Sequence, residues 1–288
     1  LYVQSDDFVS RRSFGDVKAT AISVGTFQMS PKPYGDPGEL YPSTELDSTG
    51  RRAAGLNSLL LEAGGALIVI DPGHWPPGEG SMLEDLAPTP GLDGALAALG
   101  VAASEIDFVV VTHGHFDHCT GVLDGSGLRF PNATHLLRVE DWDEDGGLSP
   151  EWHSEMLRFM APVADAGRLE VVEAPEHTIV DGVTLVHAPG ETPGHAVLRV
   201  ATADGPLLHL ADLIHLPGEA QRIDWAAGLH ERDLSQMVAS RRRFLAEASQ
   251  PGTVSLFGHA AFPAWGSVGP AGPDAWRWEP APVTGSRI

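Results

Sequence analysis

Residues 112–118 read Thr112-His113-Gly114-His115-Phe116-Asp117-His118 and follow directly on the apolar run Phe108-Val109-Val110-Val111. Three imidazoles and a carboxylate within six residues, launched from a buried strand, constrain this chain more than any other stretch. His113 and His115 stand two apart, so on extended backbone they point to the same side. Asp117 and His118 come where the chain must turn into its next element, so they approach from another direction. Imidazole and carboxylate together suit zinc, with iron and manganese as the alternative occupants. A histidine-rich surface loop is the plain alternative, and four ligand-type side chains at this spacing argue against it.

The chain has 288 residues, 42% of them apolar, enough for a substantial core. No stretch approaches the ~18 uninterrupted apolar residues of a membrane helix, so no membrane partner is expected. Against 18 Lys plus Arg stand 39 Asp plus Glu, a formal charge of −21 that repels phosphate backbones and speaks against nucleic acid. Cys119 is the single cysteine, so no intrachain disulfide can form and a thiolate-rich zinc site is excluded. It reads as a small core side chain beside the metal. A cytoplasmic location is expected, although a chain that begins at Leu1 leaves a removed leader open. Any oligomer is expected to be a homodimer.

Residues 17–27 read as an opening strand, and 28–54, with Pro31, Pro33, Pro37 and Pro42, as a long irregular loop near the site. Leu56–Glu62 and Ala66–Ile70 flank Gly64-Gly65 as a hairpin, ending at Asp71-Pro72-Gly73. Helices are expected at 92–99, 148–164 and 232–248, and another opening at 120–123. In the last long helix, Leu234, Met237, Val238 and Leu245 form the apolar stripe, and Arg241-Arg242-Arg243 face water. Further strands are expected at 106–111, 135–139, 169–172, 183–187, 196–202, 206–210 and 253–257, with a C-terminal loop and strand over 260–288. Strands separated by helices in both halves imply an α/β protein with mixed sheets, read as one domain over 1–288.

If the first cluster binds metal, further ligands should also sit just beyond strand ends. Three residues meet that test. His195 ends the turn Pro189-Gly190-Glu191-Thr192-Pro193-Gly194, Asp212 follows Leu207–Ala211, and His259 follows Val254–Gly258. His209 reads as buried strand. His74, His135, His153, His177, His187 and His230 lack such a context. Trp75, Phe116, Phe262 and Trp265 are candidate walls of an apolar substrate pocket.

The series His113, His115, Asp117, His118, His195, Asp212 and His259 resembles the ligand set of the metallo-β-lactamase-fold hydrolase superfamily. The turn Ile70-Asp71-Pro72-Gly73 resembles that family's supporting aspartate turn. The resemblance implies a four-layer αββα sandwich with two zinc ions at the sheet edge. It further implies that His113, His115 and His195 hold one metal, that Asp117, His118 and His259 hold the other, and that Asp212 bridges them. Asp71 would orient ligands from behind. Two divalent ions, two carboxylates and a bridging hydroxide leave about +1, which favours an oxyanion forming on a carbonyl or phosphoryl group. The nucleophile is then the hydroxide, and Asp117 is the candidate to pass a proton to the leaving group.

His215 stands three residues after Asp212, where quorum-signal lactonases carry a tyrosine that assists the substrate carbonyl. The difference points away from acyl-homoserine lactones and toward methyl-parathion-hydrolase-like and related lactonase or esterase members. Arg241–Leu245 and Trp276-Arg277-Trp278-Glu279 are also similar to those members. The expectation is therefore a metal-dependent hydrolase of a small ester, lactone or phosphotriester, with Asp117 and His215 as catalytic residues. A glyoxalase-II-type thioesterase and a Lewis-acid cyclase or dehydratase are the alternatives on the same fold. A small molecule is the expected partner.

Overall fold

The computed structural model describes residues 4–5, 8–30, 41, 45–73, 89–125, 127–225 and 233–282. Apolar alternation along its central strands decides the layering. Leu59, Leu61, Ile68, Ile70, Val110 and Leu136 face one way and pack against Leu185, Leu198 and Leu207 of a second sheet. Their neighbours Leu60, Val69, Val109, Val111 and Leu137 face the other way, onto helices Gly91–Leu99 and Pro150–Asp165. A third helix, Leu234–Ala248, closes the far side of the second sheet through Phe244, Leu245 and Ala248. Period-two burial on both faces requires cover on both sides, and the result is the expected helix–sheet–sheet–helix sandwich.

The first sheet has eight strands and the second seven. In the first, strands Ala66–Ile70, Phe108–Val110, Thr134–Arg138 and Leu169–Val172 run parallel, each beside the next. In the second, Leu207–His209 and Val254–Leu256 are parallel, and the other strands are antiparallel. Hydrogen bonds sew the sheets together at one edge, among them those from the Ala196 N–H to the Thr112 carbonyl (3.0 Å), from the Gly55 N–H to the His259 carbonyl (3.0 Å) and from the Asn57 N–H to the Gly258 carbonyl (3.2 Å). Among the described residues no helix is long and apolar enough to cross a membrane.

Several expectations are corrected here. The helix expected to open at 120–123 begins earlier, at Phe116–Cys119, and Thr120–Val122 is a 3₁₀ turn. Gly121 must lie flat on the Asp71 turn, since a Cβ there would stand 2.4 Å from the Pro72 carbonyl oxygen. Arg241 does not face water. It is fully buried, while Leu234 on the supposed apolar stripe is 39% exposed. Trp265 lies in the core between the sheets and donates from its indole to Ser10 Oγ at 3.1 Å. The C-terminal region forms two paired strands, Gly266–Gly272 and Ala275–Pro280. Part of the 28–54 segment is strand, with Gln28 opposite Ala53 and Met29 opposite Arg52. Strands Val9–Phe14 and Glu176–Val180 were not anticipated. The loop prolines 31, 33, 37 and 42, with His74, Trp75 and His230, lie outside the described residues.

Gly190 opens the turn that carries Glu191 and His195, at φ 140°, and lies against the start of the last long helix. A Cβ there would stand 2.3 Å from the Met237 backbone. Gly190→Ala is expected to cost about 1–3 kcal/mol, read as a lowered midpoint in urea with unchanged slope.

Candidate metal centre

Strand register explains why distant residues meet. Ile70 lies opposite Val110 in parallel pairing, so the Asp71 turn and the Thr112–His118 segment leave the first sheet at the same edge. His209 lies opposite Leu256 in the second sheet, so Asp212 and His259, each three residues further on, emerge side by side. The antiparallel pair His187 and Ala196 closes the turn that holds Glu191 and His195. All these ligand-type side chains are buried.

Oxygen acceptors turn three of the imidazoles, and a carboxylate faces a fourth. The Thr112 hydroxyl donates to Asp71 Oδ2 (2.8 Å) and so accepts from His113 Nδ1 (3.1 Å). His118 Nδ1 lies 2.9 Å from the same Asp71 oxygen. His195 Nδ1 donates to the Ala188 carbonyl (2.8 Å) and His259 Nδ1 to the Gly55 carbonyl (2.9 Å). With Nδ1 of His113, His195 and His259 committed to an oxygen behind it, the Nε2 atoms of His113 and His259 face inward. There His113 Nε2 meets His115 Nδ1 at 3.0 Å, and Asp212 Oδ2 lies 3.0 Å from His259 Nε2 and 3.3 Å from His118 Nε2. Asp117 Oδ2 is 3.5 Å from His259 Nε2.

Lone pairs and carboxylates converging in a buried space repel unless positive charge lies between them. Burial alone raises Asp212, but His259, His118 and His215 outweigh it and hold its carboxyl well below the ordinary range. Burial lowers His118, yet Asp212, Asp71 and Asp117 together hold it well above its ordinary value. Burial, with His118 and His115 beside it, pushes His113 far down. Protons on some imidazoles thus do the work that metal ions can do. Asp212 Oδ1 is buried with no hydrogen-bond partner among the described residues, as a donor atom awaiting a cation would be. The nitrogen and oxygen donor set fits divalent metal.

Among the described residues, donor atoms within 4.8 Å of one another form four groups: His113 with His115 and Glu191; His113 with His118 and Asp212; Asp117 with His118 and His259; and Asp212 with His215 and His259. Six of the seven expected ligands fall in these groups. His195 reaches the same wall, its ring 5.2 Å from that of His113, but its Nε2 accepts the Asp212 N–H at 3.1 Å. His215 sits in the centre, with Nε2 3.2 Å from both Asp212 Oδ2 and Glu191 Oε1. Its own N–H donates to Glu219 Oε2 (2.6 Å), which also accepts from Arg241 Nη2 (2.9 Å). Arg241 further donates to the carbonyls of Leu213 (2.6 Å), Ile223 (3.2 Å) and Trp225, fixing the loop that follows Asp212. Phe116 stacks on Trp152, whose ring is 5.1 Å from that of His115, which makes one aromatic wall.

Sequence reading missed Asp141, Glu191, Glu219 and Arg241. Glu191 had a visible signal, a carboxylate four residues before His195 in a glycine–proline turn. Asp141 had none. Its buried carboxylate accepts from the Gly114 N–H, the Thr192 hydroxyl and the Gly194 N–H, each at 2.7 Å. It therefore fixes the loop between His113 and His115 to the turn that ends in His195.

A family model described as the metallo-beta-lactamase superfamily matches residues 52–259. The chain belongs to that superfamily. It is 31% identical over 170 residues to the N-acyl homoserine lactonase AttM of Azorhizobium caulinodans, a match covering 53% of this chain and 59% of the relative. The chain thus spans less than two thirds of that relative's length. Its fold is similar to that of AbOPH, a hydrolase of the β-lactamase superfamily (TM-score 0.82, 22% identity, covering 98% of this chain and 100% of the other). It is similar also to AidC, a dizinc quorum-quenching lactonase solved in complex with a product (TM-score 0.77, 22% identity, covering 97% and 100%).

Burial pushes the Asp141 carboxyl up to about 6 against three hydrogen bonds that favour its ionised form. A carboxyl raised in the folded state binds its proton there after the unfolded chain has lost it. Stability contributed by Asp141 should therefore fall as pH rises from about 4 to about 6. Asp141→Asn is expected to flatten that slope and, by losing an acceptor, to loosen both ligand loops. Urea midpoints across the window, with metal content of each protein, check both outcomes.

Proposed function

We propose that this chain is a zinc-dependent, two-metal hydrolase of small lactones and related aryl esters and phosphotriesters. One observation carries the reading: the imidazoles of His113 and His259, each held at Nδ1 by an oxygen behind it, aim Nε2 at one buried space that Asp212 and Asp117 share. His113, His115 and His195 would hold one ion, Asp117, His118 and His259 the other, and Asp212 would lie between them. Bound there, divalent ions polarise a carbonyl or phosphoryl oxygen and lower the pKa of a coordinated water.

The chain's own residues divide the remaining work. Thr112, itself held by Asp71, keeps His113 in the tautomer that presents Nε2, and the Asp71 carboxylate faces His118. Asp117 faces His259 at 3.5 Å and is placed to hand a proton to a departing oxygen. His215 is held by Glu219 behind and presents Nε2 toward Asp212, where a substrate carbonyl can accept from it. This imidazole would take the part that the family resemblance gives to a tyrosine in quorum-signal lactonases. The lactonase relatives return acyl-homoserine lactones to the list of substrates to be tried. A net charge of −21 favours uncharged substrates over anionic ones.

Purified protein is expected to carry close to two zinc ions per chain. Uptake should weaken as pH falls, because His118 and His259, both held above their ordinary values by carboxylates, must shed protons to bind metal. Zinc-loaded protein tested on lactones, aryl esters, phosphotriesters, thioesters and β-lactams should turn over the first three classes. One metal or none, or turnover confined to thioesters or β-lactams, overturns the reading. His215→Phe should lower turnover of the best substrate about 10²-fold with metal content unchanged. Equal turnover would return His215 to a purely structural part.

A further inference from the structure

Glu191 is a third carboxylate at the centre, beyond Asp117 and Asp212. It is 4% exposed, and its Oε1 lies 3.4 Å from His115 Nδ1 and 3.2 Å from His215 Nε2. With His113 and His115 it completes a group of donor atoms at metal-binding spacing, on the side of the centre where His195 is turned toward the Asp212 N–H. Its backbone is held from both directions. The Pro189 carbonyl accepts from Ser240 Oγ (2.7 Å), the Gly190 N–H donates to the Thr192 carbonyl (3.0 Å), and Asp141 holds Thr192 and Gly194. A side chain on so fixed a base is pre-organised for the space it faces.

We propose that Glu191 is a metal ligand beside His113 and His115, so that this centre binds its ions with three carboxylates. The inference rests on the two-metal reading above and adds to it. A buried carboxylate requires a positive partner, and once the facing imidazoles are neutral ligands the ion itself is that partner. Two dications with Asp117 and Asp212 leave +2, which Glu191 lowers to +1. The added oxygen donor shifts the first position toward harder ions, so manganese and iron compete with zinc there better than at an all-imidazole position.

The test compares the wild type with Glu191→Gln, which keeps shape and removes charge. Both are stripped by graded chelation, reloaded with zinc, manganese or cobalt, and assayed for bound metal and for the visible spectrum of the cobalt form. The variant should lose one of its two ions at chelator concentrations at least about 10-fold lower than the wild type, with a changed cobalt spectrum. Its retention of manganese should drop more than its retention of zinc. Glu191→Ala answers the same questions if the glutamine variant does not fold. Wild-type affinity for both ions with an unaltered cobalt spectrum would overturn the inference while leaving the two-metal reading intact. A wild type that binds no metal overturns that reading instead, and this inference with it.

Discussion

The carboxylate of Asp141 is the joint on which the centre depends. Its two oxygens take hydrogen bonds from Gly114, on a loop leaving the first sheet, and from Thr192 and Gly194, on a turn of the second. Those loops carry His113, His115, Glu191 and His195. Two sheets packed through apolar side chains can slide by fractions of an ångström at little cost, whereas three charge-assisted bonds to one buried group cannot. Asp71 does the same within the first sheet, gripping Thr112 and facing His118. Ligand geometry is thus decided one layer behind the ligands.

How much of this was legible follows from where each signal lies. The layers could be read because apolar alternation is local, as in Leu59–Leu61 and Ile68–Ile70, and most candidate ligands because they follow an apolar run that ends at one sheet edge, whereas His195 ends a glycine–proline turn. Asp141 could not be read, since its partners lie 27, 51 and 53 residues away. Arg241 was misread although helical phase held the answer: it stands four residues from both Met237 and Leu245, on the buried stripe. The arginines on either side of it in the sequence made it look like part of a solvated face. The 3₁₀ turn at Thr120–Val122 depends on contact between Gly121 and the Asp71 turn, which no local pattern encodes.

The centre is also a place of stored cost. Asp71 and Ala211 have positive φ, at 49° and 47°, immediately before or at residues that shape the site. A residue with a Cβ resists this conformation, at about 1–3 kcal/mol for each position. The strain lets Asp212 leave its strand at the angle that brings its carboxylate between His118 and His259. Buried carboxylates add to the cost until cations compensate them. A centre of this kind is less stable empty than filled, which couples folding to metal supply.

The guanidinium of Arg241 bears on how this chain tolerates sequence drift. It serves three carbonyls and Glu219 from the interior of an outer helix, in a protein with 18 Lys and Arg against 39 acids. Lysine, a single point charge without the planar fork, cannot satisfy four acceptors spread across a loop. Arg242 and Arg243, half exposed and paired with Asp274 and Glu176, are replaceable by comparison. Substitution of three identical neighbours in the sequence is therefore unequal in its structural cost, and the greatest falls on the residue farthest from solvent.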